Sequence, residues 1–385
     1  MRTSIRPTVA EIDLDAILSN LGLLRQTVGS GVAIWGVVKA DAYGHGAVAV
    51  GRALEPVIDA LAVSLVEEGL ELRAAGIRIP IVVLSAFYNR HQDEVIHEGL
   101  TPVIYDVSDL ERFAAAAARL GRPVAVHLKV DTGMSRLGVS VEDLPSVLDR
   151  ALALPSIEVA GLATHFASAD GADAATTEVA LRRFQSCVDL AHQRGLRGLT
   201  LHAANSAATV RFSSAHLHAV RPGLALYGAM PSQEVARPDL RPALRLATRI
   251  MALHDIAPGT PVSYGGLWRA SRPSRIATLP IGYADGYPRH VRGARALVRG
   301  HQVPVVGAVC MDMLMVDVTE VVDVGVALGD PVVLIGRDGD QAITVDDLAG
   351  WAGTVNYEIL CGISKRVPRV YTGAVRTPGA PAANP

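Results

Sequence analysis

The chain has 385 residues, 50% of them hydrophobic and 19% charged, with a formal net charge of -2. That length suits a large barrel with a second module, and the apolar share is enough for a large buried core. The near-neutral charge and scattered basic residues give no electrostatic case for a nucleic-acid or membrane partner. The three cysteines, Cys187, Cys310 and Cys361, form no CxxC or CxxH pair. No disulfide framework and no metal site are therefore expected, and the compartment reads as reducing and cytoplasmic. Residues 1–7 carry no apolar signal-peptide core, and no run is long enough to span a membrane.

In chain order, residues 8–14 alternate through Val9, Ile12 and Leu14, and a helix is predicted over 15–27. A repeat then sets in. Short apolar runs fall at 34–38, 60–66, 81–84, 102–105, 124–130, 159–166, 199–203 and 217–227, with helical patterns between them such as 67–75, 108–120, 141–153 and 176–194. Alternating strands and helices predict parallel strands, and eight of them predict a closed (β/α)8 TIM-type barrel. An open doubly wound sheet would carry a Gly-rich turn after its first strand, and none is present. After about residue 232 glycines and prolines rise. Short strands are predicted at 247–254, 276–281, 296–298, 303–309, 313–318 and 331–335, with turns at Asp330-Pro331 and Arg337-Asp338-Gly339. A short helix is predicted from Thr344 as N-cap. The domains are therefore a barrel over 1–240, a mostly-β C-terminal domain over 241–376, and a disordered Pro/Ala/Gly-rich tail over 377–385.

Chemistry concentrates where the barrel strands end, the face on which such barrels carry their sites. The run Val37-Val38-Lys39-Ala40-Asp41-Ala42-Tyr43-Gly44-His45-Gly46 places a lysine at the end of the first strand. A lysine desolvated by an apolar strand is a competent amine nucleophile and base; the bland alternative is a lysine snorkelling to solvent. Lys129, Asp131 and Arg136 follow the fifth strand, His165 the sixth, His202, Asn205 and Ser206 the seventh, and Arg221 and Gly223 fall at the eighth. The bland readings are a helix N-cap for Ser206, a rim ion pair for Arg221, a core histidine for His165 and a small buried residue for Cys310.

The Lys39 decapeptide resembles the cofactor-lysine motif of the alanine racemase family, whose members use pyridoxal 5'-phosphate (PLP, fold type III). The resemblance continues through His127 to Gly138, Val220 to Gly228, Pro261 to Gly266, Leu279 to Arg289 and Cys310-Met311-Asp312. It implies an enzyme that interconverts L- and D-alanine through a PLP Schiff base and supplies D-alanine for peptidoglycan. It implies two bases, Lys39 and Tyr264, the latter donated by the other subunit of an obligate homodimer with shared sites. A phenol serves as a base at neutral pH only beside cations. Tyr43, His165, Asn205, Ser206, Arg221, Gly223, Leu224 and Tyr357 match the family's cofactor-binding positions, Leu224 through its backbone. Arg136 and Met311 match substrate contacts. Supporting positions are Lys129, carbamylated in the family, Asp312, and the entrance residues Tyr283 and Asp170. The resemblance also assigns the first ~12 residues to the β domain. Three competing readings remain: a racemase for another or several amino acids, a non-catalytic PLP carrier on the same barrel, and a lyase using Lys39 without PLP.

Overall fold

The computed structural model describes residues 6–85, 91–232, 234–235 and 239–373. The tail expected at 377–385 lies outside these. The described chain divides into two compact units.

One unit, within residues 18–42 and 47–240, is a closed barrel of eight parallel strands with helices between them. Its strands are Ala33–Val37, Ala60–Val63, Ile81–Val83, Thr101–Ile104, Val124–Lys129, Ile157–Ala163, Thr200–His202 and Ala219–Val220. The barrel closes by pairing Ala33 with Ala219 and Ile34 with Val220. All eight expected strands are present, and the barrel is as predicted. The last is much shorter than the expected 217–227, because Pro222 has no N–H to extend the ladder. The chain turns there and coils into a 3-10 segment, Leu224–Tyr227, tied back by Tyr227 Oη to the Val37 carbonyl at 2.9 Å. The strands are almost wholly apolar and buried, as parallel strands covered on both faces must be. Helices Ala47–Leu54, Gln92–His97 and Ser206–Arg211 are too short or too polar to stand out by periodicity.

The other unit, residues 6–17, 43–46 and 241–373, is built on a ten-stranded sheet. Strand Val9–Asp13 lies between Leu244–Arg249, antiparallel, and Arg369–Thr372, parallel. Its buried face is Ala10 and Ile12, continued by Leu14, so the expected alternation holds at Ile12 and Leu14 and is off only at Val9, which is half-exposed. The run expected as one strand over 247–254 is two, Leu244–Arg249 and Ala252–Ile256. The chain changes partner between them, Ile250 N–H bonding Asp330 O and Met251 N–H bonding Thr278 O. The helix predicted from Thr344 is present, its hydroxyl accepting from Asp347 N–H in a reciprocal capping box. A second helix, Asn356–Gly362, has no counterpart among the predicted elements.

Candidate active site

Lys39 lies two residues past the end of the first barrel strand, after Val38, which is fully buried and donates its N–H to the Ala62 carbonyl. The backbone beyond Lys39 is unusual. Ala40, Asp41, Ala42 and Tyr43 all have φ near +53°. Four consecutive non-glycine residues make a left-handed helical turn, which costs roughly 1–2 kcal/mol per residue. Its anchors are Ala42 N–H on Val38 O, Ala40 N–H on Glu68 Oε1 at 2.7 Å, and Asp41 Oδ1, which accepts from Ala47 N–H at 2.7 Å. Strain held in place at a strand end is where function concentrates.

On the neighbouring strand, Ala219–Val220, Arg221 follows the last residue; it is buried at 6% exposure and is not in a rim ion pair. Its guanidinium donates from Nη1 to His202 Nδ1 (2.6 Å), and from Nη2 to His165 Nδ1 (3.2 Å) and the carbonyls of Thr164 (2.8 Å) and Ala203 (3.1 Å). Burial lowers its pKa to about 10, so it stays a cation at neutral pH. Among the described residues no partner takes Nε–H or the second Nη1–H, which leaves both for a ligand. Because arginine only donates, both histidines accept at Nδ1 and carry their proton on Nε2. His202 Nε2 then donates to His127 Nδ1 at 2.9 Å. Trp35 packs tilted against both rings, its centroid 4.5 Å from that of His202 and 5.6 Å from that of His127. Gly161 leaves the space: a Cβ there would stand 2.6 Å from His127 Nδ1. Burial first, then the Arg221 charge, pushes His127 down to about 4 and holds His165 and His202 well below the usual imidazole range.

The mouth of the barrel unit is strongly cationic. Lys129, the last residue of its strand, has its pKa lowered to about 8 by burial, then by Arg221, Arg136 and Lys39, with Asp131 opposing. Arg136 is exposed, on a loop tightened by Gly138, where a Cβ would meet Asp131 N at 2.5 Å. Four cations around one carboxylate suit an anionic ligand such as a phosphate or carboxylate. Ser206 adds a directed donor. Its Oγ accepts from Gly223 N–H (2.9 Å) and Ala225 N–H (3.2 Å), which fills both lone pairs and leaves the hydroxyl proton to donate. Ser206 is thus not the helix cap: Asn205 is, its Oδ1 accepting from Ala208 N–H at 3.0 Å. Leu224 is fully buried at the start of the 3-10 segment, and Asp170 is half-buried on the loop beyond His165. This donor set fits PLP: a lysine amine, a hydroxyl donor, and a buried arginine for the ring nitrogen.

The β unit carries the remaining residues. Tyr43 is buried, its ring 5.9 Å from that of Tyr357 on helix Asn356–Gly362. Tyr264 is 73% exposed at the tip of a hairpin formed by Pro261–Val262 and Trp268–Arg269. Met311 and Tyr283 are also exposed. Their loops are joined by Tyr283 N–H on Cys310 O and Ala284 N–H on Met311 O, an approach so close that a Cβ at Gly282 would stand 2.2 Å from Cys310 O. Asp312 pairs with Arg366 at 2.6 Å, and Arg366 also reaches the buried Asp285. Cys310 is only half-buried and lies 3.3 Å from Ser263 Oγ. His127, Trp35 and Ser263 are not among the candidates that the sequence singles out; a histidine inside an apolar barrel strand is the one signal that could have found any of them.

A family profile described as "Alanine racemase, N-terminal domain" matches residues 12–231, and one described as "Alanine racemase, C-terminal domain" matches 243–371. A protein of Sorangium cellulosum named alanine racemase is 46% identical over 95% of this chain and 99% of its own length. One of Halothermothrix orenii with the same name is 43% identical over 96% and 98%. Among solved structures, alanine racemase of Clostridium difficile superposes with a TM-score of 0.91 at 36% identity, covering 96% of this chain and 97% of that one. Alanine racemase from a D-cycloserine-producing Streptomyces lavendulae gives 0.92 at 34% identity, covering 97% and 98%.

Proposed function

The chain belongs to the alanine racemase family, and from that membership we propose that it interconverts L- and D-alanine with PLP as cofactor, supplying D-alanine for peptidoglycan in the cytoplasm. The observation that carries this is the barrel mouth: a strand-end lysine among cations, beside a neighbouring strand whose end carries a buried arginine held by histidines and carbonyls. When bound, PLP supplies the electron sink that acidifies the substrate's Cα proton.

The protein does the rest. Lys39 binds the cofactor and moves a proton on one face of Cα; Tyr264, reaching in from the second subunit of a homodimer, moves it on the other. Ser206, Tyr43, Tyr357 and the Gly223-Leu224 backbone hold the phosphate, with Asn205 fixing the helix that presents Ser206. Arg221, which stays a cation, would donate a hydrogen bond to the ring nitrogen without giving up its proton. Arg136 and Met311 position the substrate carboxylate, and Tyr283 and Asp170 narrow the entrance to a small side chain. Lys129 is carbamylated in this reading. With a pKa of about 8 much of its amine is neutral near that pH, the form that adds to CO2 with loss of a proton. The product is an anion that steadies Arg136.

The test combines the absorbance spectrum before and after borohydride with deuterium entry into Cα of each alanine enantiomer. The expected result is a yellow protein, label trapped on Lys39, a colourless Lys39→Ala, and a Tyr264→Phe that loses exchange from one enantiomer. A colourless wild type sinks the reading; a yellow protein that exchanges other amino acids faster than alanine moves the substrate. In 13C-bicarbonate the same samples should show a carbamate resonance that Lys129→Met lacks.

A further inference from the structure

We propose that Ser263 is a positioning residue for Tyr264: its side chain latches a strained turn that aims the phenol. The inference rests on the reading of Tyr264 as a base. Ser263 has φ +64° and ψ -174°, a conformation that is otherwise almost exclusive to glycine. Its side chain explains how a serine is kept there. Ser263 Oγ donates to the Ala308 carbonyl at 2.7 Å and lies 3.3 Å from Cys310 Sγ. The opposing loop is shaped to receive it, since a Cβ at Gly307 would stand 2.9 Å from Ser263 Cβ and 2.7 Å from Val262 O.

Packing within its own subunit cannot aim Tyr264, because 73% of it is exposed there. The hairpin is fixed below by Val262 in a small core with Ile276 and Val306. Above Val262 the first fixed point is the Ser263 latch, and the next residue is Tyr264. The latch ends on the loop that carries Met311, which Tyr283 N–H on Cys310 O and Ala284 N–H on Met311 O hold independently, so losing the latch frees the tyrosine and leaves that loop in place. A single hydrogen bond's net contribution does not offset the backbone strain, so stability alone gives no reason for a serine here.

The experiment is Cα deuterium exchange of each enantiomer by the holoenzyme, for wild type, Tyr264→Phe, Ser263→Ala, Ser263→Gly and Ser263→Gly/Tyr264→Phe, with melting temperatures alongside. Glycine adopts the turn freely but has no latch. Ser263→Gly should keep the melting temperature and lose about 10- to 100-fold in exchange of the enantiomer that Tyr264→Phe impairs, the scale of a misplaced group. The other enantiomer should exchange within about two-fold of wild type. The double variant should be no slower than Tyr264→Phe alone, because the latch acts only through the tyrosine. Equal loss for both enantiomers in Ser263→Gly, or additive loss in the double variant, overturns the proposal while the two-base reading stands. If Tyr264→Phe itself slows both enantiomers equally, the two-base reading falls and takes the proposal with it.

Discussion

At the scale of single residues, the buried histidines decide how the barrel unit responds to acid. His127, His165 and His202 are kept neutral by burial and by the Arg221 charge, so their folded pKa values lie below the unfolded value of 6.5. Below pH 6.5 the unfolded chain binds protons that the folded one does not, so stability falls as pH falls. For His127 the loss continues to about pH 4. Each ring steepens the loss by at most about 1.4 kcal/mol per pH unit. Urea unfolding of the cofactor-free protein should therefore weaken from about pH 6.5, above the carboxylate range. In His127→Asn, whose Oδ1 replaces the Nδ1 acceptor for His202, the slope should be shallower by about one ring's share, whatever cavity the change opens. An unchanged slope would mean that His127 is protonated in the fold. Tyr287 is the contrasting case: its hydroxyl is fully buried with no hydrogen-bond partner among the described residues.

At the scale of elements, the sequence is most legible where periodicity and burial agree. The helices predicted at 108–120 and 176–194 fall within a residue of Val107–Leu120 and Ala175–Gln193, because each shows a clean amphipathic stripe and length enough to count it. The strand ends that carry Lys39, Lys129, His165 and Ser206 are also readable, since an apolar run stops at a charged or polar residue. The eighth strand is over-read, because hydrophobicity continues past Pro222 while pairing does not. The left-handed turn after Lys39 is invisible, because alanine and aspartate carry no signal for positive φ. That turn yields a prediction in which two effects compete. Ala40 is exposed at φ +52°. Glycine there removes roughly 1–2 kcal/mol of steric strain and adds roughly 0.5–1 kcal/mol of unfolded-state entropy. Relief of strain outweighs the entropy, so Ala40→Gly should stabilise the protein, by about 0.5–1 kcal/mol in denaturant unfolding. A loss of stability would show that the turn is set by its neighbours without strain.

At the scale of the molecule, fold class and family are legible because motifs recur along almost the whole chain and the profiles cover 12–231 and 243–371. What a single chain does not encode directly is what covers the exposed Tyr264 (73%), Leu267 (80%) and Met311 (53%). Large apolar side chains gathered on one hairpin and one loop mark an interaction surface. The homodimer reading gives them an occupant: the barrel mouth of a second copy. It also makes each active site composite, and composite sites can be separated genetically. Lys39→Ala destroys the site built on its own barrel, and Tyr264→Phe destroys the site it reaches into. Each homodimer should be inactive. Co-expressed, random pairing makes about half the dimers mixed, and each mixed dimer has one of its two sites intact, so activity should return to about a quarter of wild type. Recovery should fail when the variants are mixed as already assembled dimers and appear only as subunits exchange. If both residues serve the same chain's site, no pairing restores activity. Mixed dimers as inactive as their parents would thus locate Tyr264 within its own subunit's site.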